Sequence, residues 1–109
     1  VKKMGWGMSL YRTSRKHFES IDREDFWQIA FDNEQEELFY WRKAYDLDSW
    51  FYQNASIIED YSNELTKEIL EKLINWLIDN NFKDDAKKIK KIILENDFKE
   101  NVIYYTRIN

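Results

Sequence analysis

Between Trp6 and Thr13 the chain alternates, with Trp6, Met8 and Leu10 on one side and Gly7, Ser9 and Tyr11 on the other. A period of two is that of a strand, whose successive side chains point to opposite faces. Ser14 is then placed to cap a short helix running through Phe18 and Glu19. From Ile21 to Phe31 the pattern does not discriminate: Phe26-Trp27-Gln28-Ile29-Ala30-Phe31 is too short and too apolar for periodicity to choose helix or strand, and both stay open.

Asn33 followed three residues later by Glu36 has the spacing of a capping box, and Glu34 to Glu37 would set negative charge at the positive end of a helix dipole. The pattern therefore predicts one unusually aromatic helix over residues 34–53. At 100° per residue, Tyr40, Ala44, Leu47 and Phe51 form one stripe, and Leu38, Trp41, Tyr45 and Tyr52 form a second beside it. Arg42, Asp46, Ser49 and Gln53 make the polar face, with Arg42 and Asp46 at i,i+4 spacing for a weak surface pair. A helix so widely apolar must be covered on two sides or serve in part as an interface. Asp48 falls inside the aromatic sector, where a carboxylate needs a hydrogen-bond or ionic partner, such as Arg12 or a cation of a partner molecule.

Two further helices follow. Thr66 reads as an N-cap, Leu65 and Leu70 as the two ends of a hydrophobic staple, and Leu65, Ile69, Leu73, Trp76 and Leu77 as the buried side, ending at Asp79-Asn80-Asn81. From Asp84 or Asp85 the next helix turns Ala86, Ile89 and Ile93 inward and Lys87, Lys88, Lys90 and Lys91 outward, stopping near Asn96-Asp97. The short link predicts an antiparallel helical hairpin. Val102 to Ile108 is β-branched and aromatic, and reads as a strand that pairs with the first. The expected fold is α+β and mainly helical: three or four helices packed on a small antiparallel sheet formed by the N- and C-terminal strands.

Composition supports this and narrows the function. At 109 residues the chain has the size of one domain, taken here as residues 1–109. Two Gly and no Pro leave too little turn chemistry for an all-β fold. The absence of Cys excludes disulfides and thiolate chemistry, and suits a reducing cytoplasm. No apolar run approaches the roughly 20 residues of a membrane span, and Val1-Lys2-Lys3-Met4 is not followed by the apolar stretch of a signal peptide, so neither export nor membrane insertion is expected. The net charge of -4 is unevenly placed: residues 1–23 hold six basic against two acidic groups, residues 24–80 four against fourteen, and residues 81–109 seven against five. An acidic centre of this kind disfavours direct nucleic-acid binding, which needs a concentrated basic surface.

Catalytic constellations are missing. His17, in the charged run Arg15-Lys16-His17, is the single histidine and reads as a surface residue rather than a proton relay. Neither a spaced acidic metal loop nor a glycine-rich phosphate loop is present. Asp84-Asp85-Ala86-Lys87 is better explained as a cap and a solvated lysine face than as a nuclease core. The chain is expected to be no enzyme and to need no cofactor or metal.

Tyr40-Trp41-Arg42-Lys43-Ala44, followed by Leu47, Trp50 and Phe51, resembles a family of small, largely uncharacterised proteins of tailed bacteriophages and prophages. Met4-Gly5-Trp6-Gly7-Met8-Ser9-Leu10-Tyr11 is similar to that family's opening, which usually runs Met-Gly-Leu-Asp-Met-Tyr-Leu. The resemblance covers Met4 to Tyr11 and Tyr40 to Leu77. This chain departs from it at Gly7, where the family has Asp, and at Asp48, where it has His, so any site those two form in relatives is altered or lost here. The resemblance implies a phage origin and no activity. The resulting expectation is a non-enzymatic protein that binds and inhibits a host protein or ribonucleoprotein complex in the host cytoplasm, as an anti-defence or anti-CRISPR inhibitor. Its candidate contact residues are Trp41, Tyr45 and Tyr52 of the aromatic surface, Asp48, and Glu59, Asp60 and Glu64 of the acidic centre. The rivals are a structural or assembly protein that forms a homodimer through exposed aromatics, and a small nucleic-acid-acting protein.

Overall fold

In the computed structural model, which describes residues 7–20, 36–42, 45–55, 57 and 63–108, the alternating segment forms strand β1, Gly7–Ser14. The tail forms β4, Asn101–Ile108, antiparallel to β1 in unbroken register from Gly7 opposite Ile108 to Ser14 opposite Asn101. These two strands are the centre of a four-stranded sheet in the order β2-β1-β4-β3, with β2 (Glu36–Arg42) and β3 (Asn63–Leu65) at its edges. All pairings are antiparallel.

The period of two sorts the side chains to two cores. Met8, Leu10, Ile103, Tyr105 and Leu65 face one side and meet the helices α2 (Tyr45–Asn54), α3 (Lys67–Asp79) and α4 (Lys83–Glu95) through Leu47, Phe51, Leu70, Leu73, Leu77, Ala86, Ile89 and Ile93. On the other side Tyr11, Val102 and Tyr104 form a smaller cluster with Phe18 of the short helix α1, Arg15–Ser20. Ser9, Thr13 and Thr106 are buried on the same side, so the sheet is covered on both faces. The fold is α+β, with four helices among the described residues packed with a small antiparallel sheet in which β1 and β4 pair.

Several local signals act as their chemistry dictates. The Ser14 hydroxyl accepts from the His17 N–H at 3.1 Å and caps α1. Thr66 does the same for α3, accepting from the Ile69 N–H at 3.2 Å. Arg15 fastens α1 to the rest: it donates to the Phe98 carbonyl at 2.8 Å and pairs with Glu64 at 3.1 Å. His17 itself is half-buried rather than on the surface.

The single aromatic helix over 34–53 is corrected. Glu36 to Arg42 is strand β2, and helix begins only at Tyr45. Glu36 closes no capping box; it forms an ion pair with Arg12 across the strands at 2.6 Å. Arg42 ends a strand, so the helical spacing that would pair it with Asp46 does not exist. β1 has a free edge that β4 does not cover, and Met8 and Leu10 gain Trp41 and Phe39 as direct cross-strand partners by drawing this segment into the sheet. A β-bulge beside Leu38 keeps both ends of β2 in register with β1. The last helix also differs in its start: α4 opens at Lys83 after Phe82, without a side-chain cap from Asp84 or Asp85. The ambiguous segment 21–31, together with Trp6, Asn33 and Ala44, lies outside the described residues.

Candidate functional site

The feature with the chemistry of a site is an open cleft of about 450 Å³, within the usual range for ligand pockets. It lies where the end of β2 meets the start of α2 and the end of α3. Trp41 comes from β2, Tyr45, Asp46 and Leu47 from the first turn of α2, Trp76, Leu77 and Asn80 from the last turn of α3, and Phe82 from the link to α4.

Phe82 owes its position to the way α3 stops. Asn81 takes a left-handed conformation with φ 67°, the Asn81 N–H donates to the Ile78 carbonyl at 3.2 Å, and the Phe82 N–H reaches back to the Leu77 carbonyl at 2.8 Å. This is a Schellman ending, in which the residue after the left-handed one folds back onto the last turn. Phe82 accordingly stacks on Trp76, with ring centroids 6.0 Å apart and planes within 10°. The Asn80 amide supports the same turn by donating to the Trp76 carbonyl at 2.8 Å.

Trp41 is fixed from the other side. Its ring stacks on Phe39 at 4.7 Å, and its indole N–H donates to the Asp85 carboxylate at 3.3 Å. Tyr45 is 57% exposed and Phe82 47%, so the cleft presents aromatic surface to solvent. Asp46 is exposed and makes no ion pair among the described residues, and it is the only charged side chain among the described residues that line the cleft.

Of the residues expected to make contacts, the structure brings Trp41 and Tyr45 together in this cleft. Tyr52 lies two turns further along α2, half-buried and away from the cleft lining. Asp48 is only 7% exposed and accepts a hydrogen bond from the Tyr105 hydroxyl, so it belongs to the core and does not meet Arg12. Glu64 is half-buried in β3 and paired with Arg15. Glu59 and Asp60 lie outside the described residues. Trp76 and Phe82 were not among the expected contacts, since Trp76 reads as the buried side of its helix. An aromatic residue directly after Asn80-Asn81 is the signal for them, because a left-handed Asn ending a helix folds the next residue back onto that helix.

Other polar groups read as structure. On the sheet face opposite the large core, burial raises the Tyr11 phenol above its ordinary value near 10; a hydrogen bond from Ser9 opposes this and the Glu37 carboxylate adds to it. Lys88 reaches over the Phe39 ring, its Nζ 5.8 Å from the centroid. Among the described residues no group of three or more His, Asp or Glu side chains is placed to hold a metal ion, and no helix is long and apolar enough to cross a membrane. Comparison with protein-family models, with curated proteins and with solved structures finds no match, which leaves the chemistry of the cleft as the guide to function.

Proposed function

We propose that this chain is a non-enzymatic binding protein that holds a host complex in the host cytoplasm and inhibits it, in the manner of a phage anti-defence or anti-CRISPR protein. The observation that carries the binding surface is the cleft: Trp41, Tyr45, Trp76 and Phe82, from β2, α2, α3 and the link to α4, leave aromatic surface open at one point, Trp41 and Trp76 packing in part against the core while Tyr45 and Phe82 are exposed. Aromatic residues in such a position are those that dominate the energetics of protein contacts. The phage assignment is supported by the resemblance of Met4 to Tyr11 and Tyr40 to Leu77, whose Tyr40-Trp41 string forms the end of β2 that feeds the cleft.

The test is functional. The protein is expressed in host strains that each carry one defence system, and the plaquing efficiency of a phage restricted by that system is measured. The expected result is a rise of at least a hundredfold against one system, abolished by Tyr45→Ala together with Phe82→Ala in a protein that keeps its circular dichroism spectrum. Inhibition that survives the double substitution would move the contact surface elsewhere, and no rise in any strain would sink the inhibitor assignment.

A further inference from the structure

We infer that the cleft takes the guanidinium group of an arginine presented by a protein partner. This rests on the cleft being the partner-binding surface, and it specifies what that surface recognises. Four aromatic side chains meet there, and the faces of Trp, Tyr and Phe rings attract cations, with the planar guanidinium able to stack as well.

Asp46 is the only charged side chain among the described lining residues, and it supplies the two oxygens that match the guanidinium fork. The last turn of α3, which lines the cleft, contains no basic residue to oppose a bound cation. The positive start of α2 is offset on its own helix by Asp46 and Asp48 in the first turn.

The hydrogen-bonding inventory agrees too. The Trp41 N–H is engaged by Asp85, and the Asn80 amide nitrogen by the Trp76 carbonyl. What these leave is weighted to acceptors, the Asp46 carboxylate and the Asn80 carbonyl oxygen, against the Trp76 indole N–H as a neutral donor. A donor-rich, flat cation fits such a site; an anion does not. The fold already applies the same physics next door, where Lys88 sits over Phe39 on the ring that stacks on Trp41.

The probe is Nα-acetyl-arginine methylamide, titrated into the purified full chain while the indole N–H resonances of the tryptophans are followed by NMR. The arginine compound should shift the Trp41 and Trp76 signals saturably, at least fivefold more tightly than the matching lysine compound, and the glutamate compound should leave them unmoved. Asp46→Asn and Phe82→Ala, both exposed positions, should each weaken binding about tenfold while the unperturbed signals stay in place. Absence of saturation, equal binding of lysine, binding of glutamate, or an unchanged affinity in Asp46→Asn would each overturn the inference. Arginine binding without protection from any defence system would refute the inhibitor assignment alone. Protection that needs Tyr45 and Phe82, without any response to arginine, would refute the guanidinium alone.

Discussion

The Tyr105 hydroxyl on β4 donates to the Asp48 carboxylate on α2, a hydrogen bond between residues 57 positions apart in the chain. Tyr105 is fully buried and its ring also stacks on Phe51 of the same helix at 4.3 Å. One side chain thus fixes α2 to the sheet by packing and by a charged hydrogen bond together. Tyr105→Phe keeps the packing and removes the bond, and should cost about 1.5–3 kcal/mol in chemical denaturation. Asp48→Ala should cost a similar amount, and the double variant little more than either single one, since the two share the interaction. Strict additivity in that cycle would show that the bond contributes nothing.

A second prediction concerns Gly7. A Cβ built there would run into the far end of the Tyr40 ring, which lies over the glycine from the neighbouring strand. The Gly7 φ is not positive, so the backbone itself accepts an L-residue. Gly7→Ala should therefore destabilise by about 1 kcal/mol as Tyr40 is displaced, yet stabilise by a few tenths in a Tyr40→Ala background, where only the entropic gain of replacing glycine remains. Melting temperatures of the four proteins decide this, and an equal effect in both backgrounds would mean that the ring is not what Gly7 accommodates.

The elements that sequence reasoning placed well are those whose signal is local. β1 alternates, β4 is β-branched, α3 has its Thr66 cap and α4 its lysine face, and each lies where its pattern put it, apart from the start of α4 at Lys83. β2 was missed because Leu38-Phe39-Tyr40-Trp41 satisfies a helical stripe as well as a strand, with no proline or glycine to mark the break before Tyr45. What decides its conformation is the open edge of β1, some thirty residues away, and that is a tertiary fact. The candidate site was half legible for the same reason: Trp41 and Tyr45 stand out as excess aromatics, whereas Trp76 and Phe82 join them only through the geometry of a helix end.

That helix end yields the third prediction. Asn81 occupies the left-handed region, which asparagine tolerates and glycine prefers. Asn81→Gly should be neutral or slightly stabilising. Asn81→Val should cost roughly 1–2 kcal/mol and loosen the Phe82 stack on Trp76, seen as a change in near-ultraviolet circular dichroism. A valine variant with unaltered stability and aromatic signal would show that the turn does not hold the cleft.

The fourth prediction follows from Tyr11. Its phenol is raised in the folded protein, first by burial, so the fold binds that proton more tightly than the unfolded chain does. The associated stability is complete below the unfolded value near 10 and is lost as pH rises through and above it. Urea unfolding from pH 8 to 12 should show the wild type losing stability above pH 10 more steeply than Tyr11→Phe. Parallel curves would assign the alkaline loss to other groups.

The pairing of β1 with β4 at the centre of the sheet also bears on how the molecule comes into being. Its middle ladder joins residues that are about a hundred positions apart, such as Gly7 and Ile108, so it cannot form until β4 has been made. The helical hairpin of α3 and α4 needs only neighbours and can assemble during synthesis, whereas β1, which β2 can join early, must wait for β4 to cover its other edge. A ribosome-bound chain lacking β4 is expected to hold a formed helical hairpin beside a β1 whose β4 edge is open, and arrested-chain proteolysis would find β1 more readily cleaved until β4 emerges.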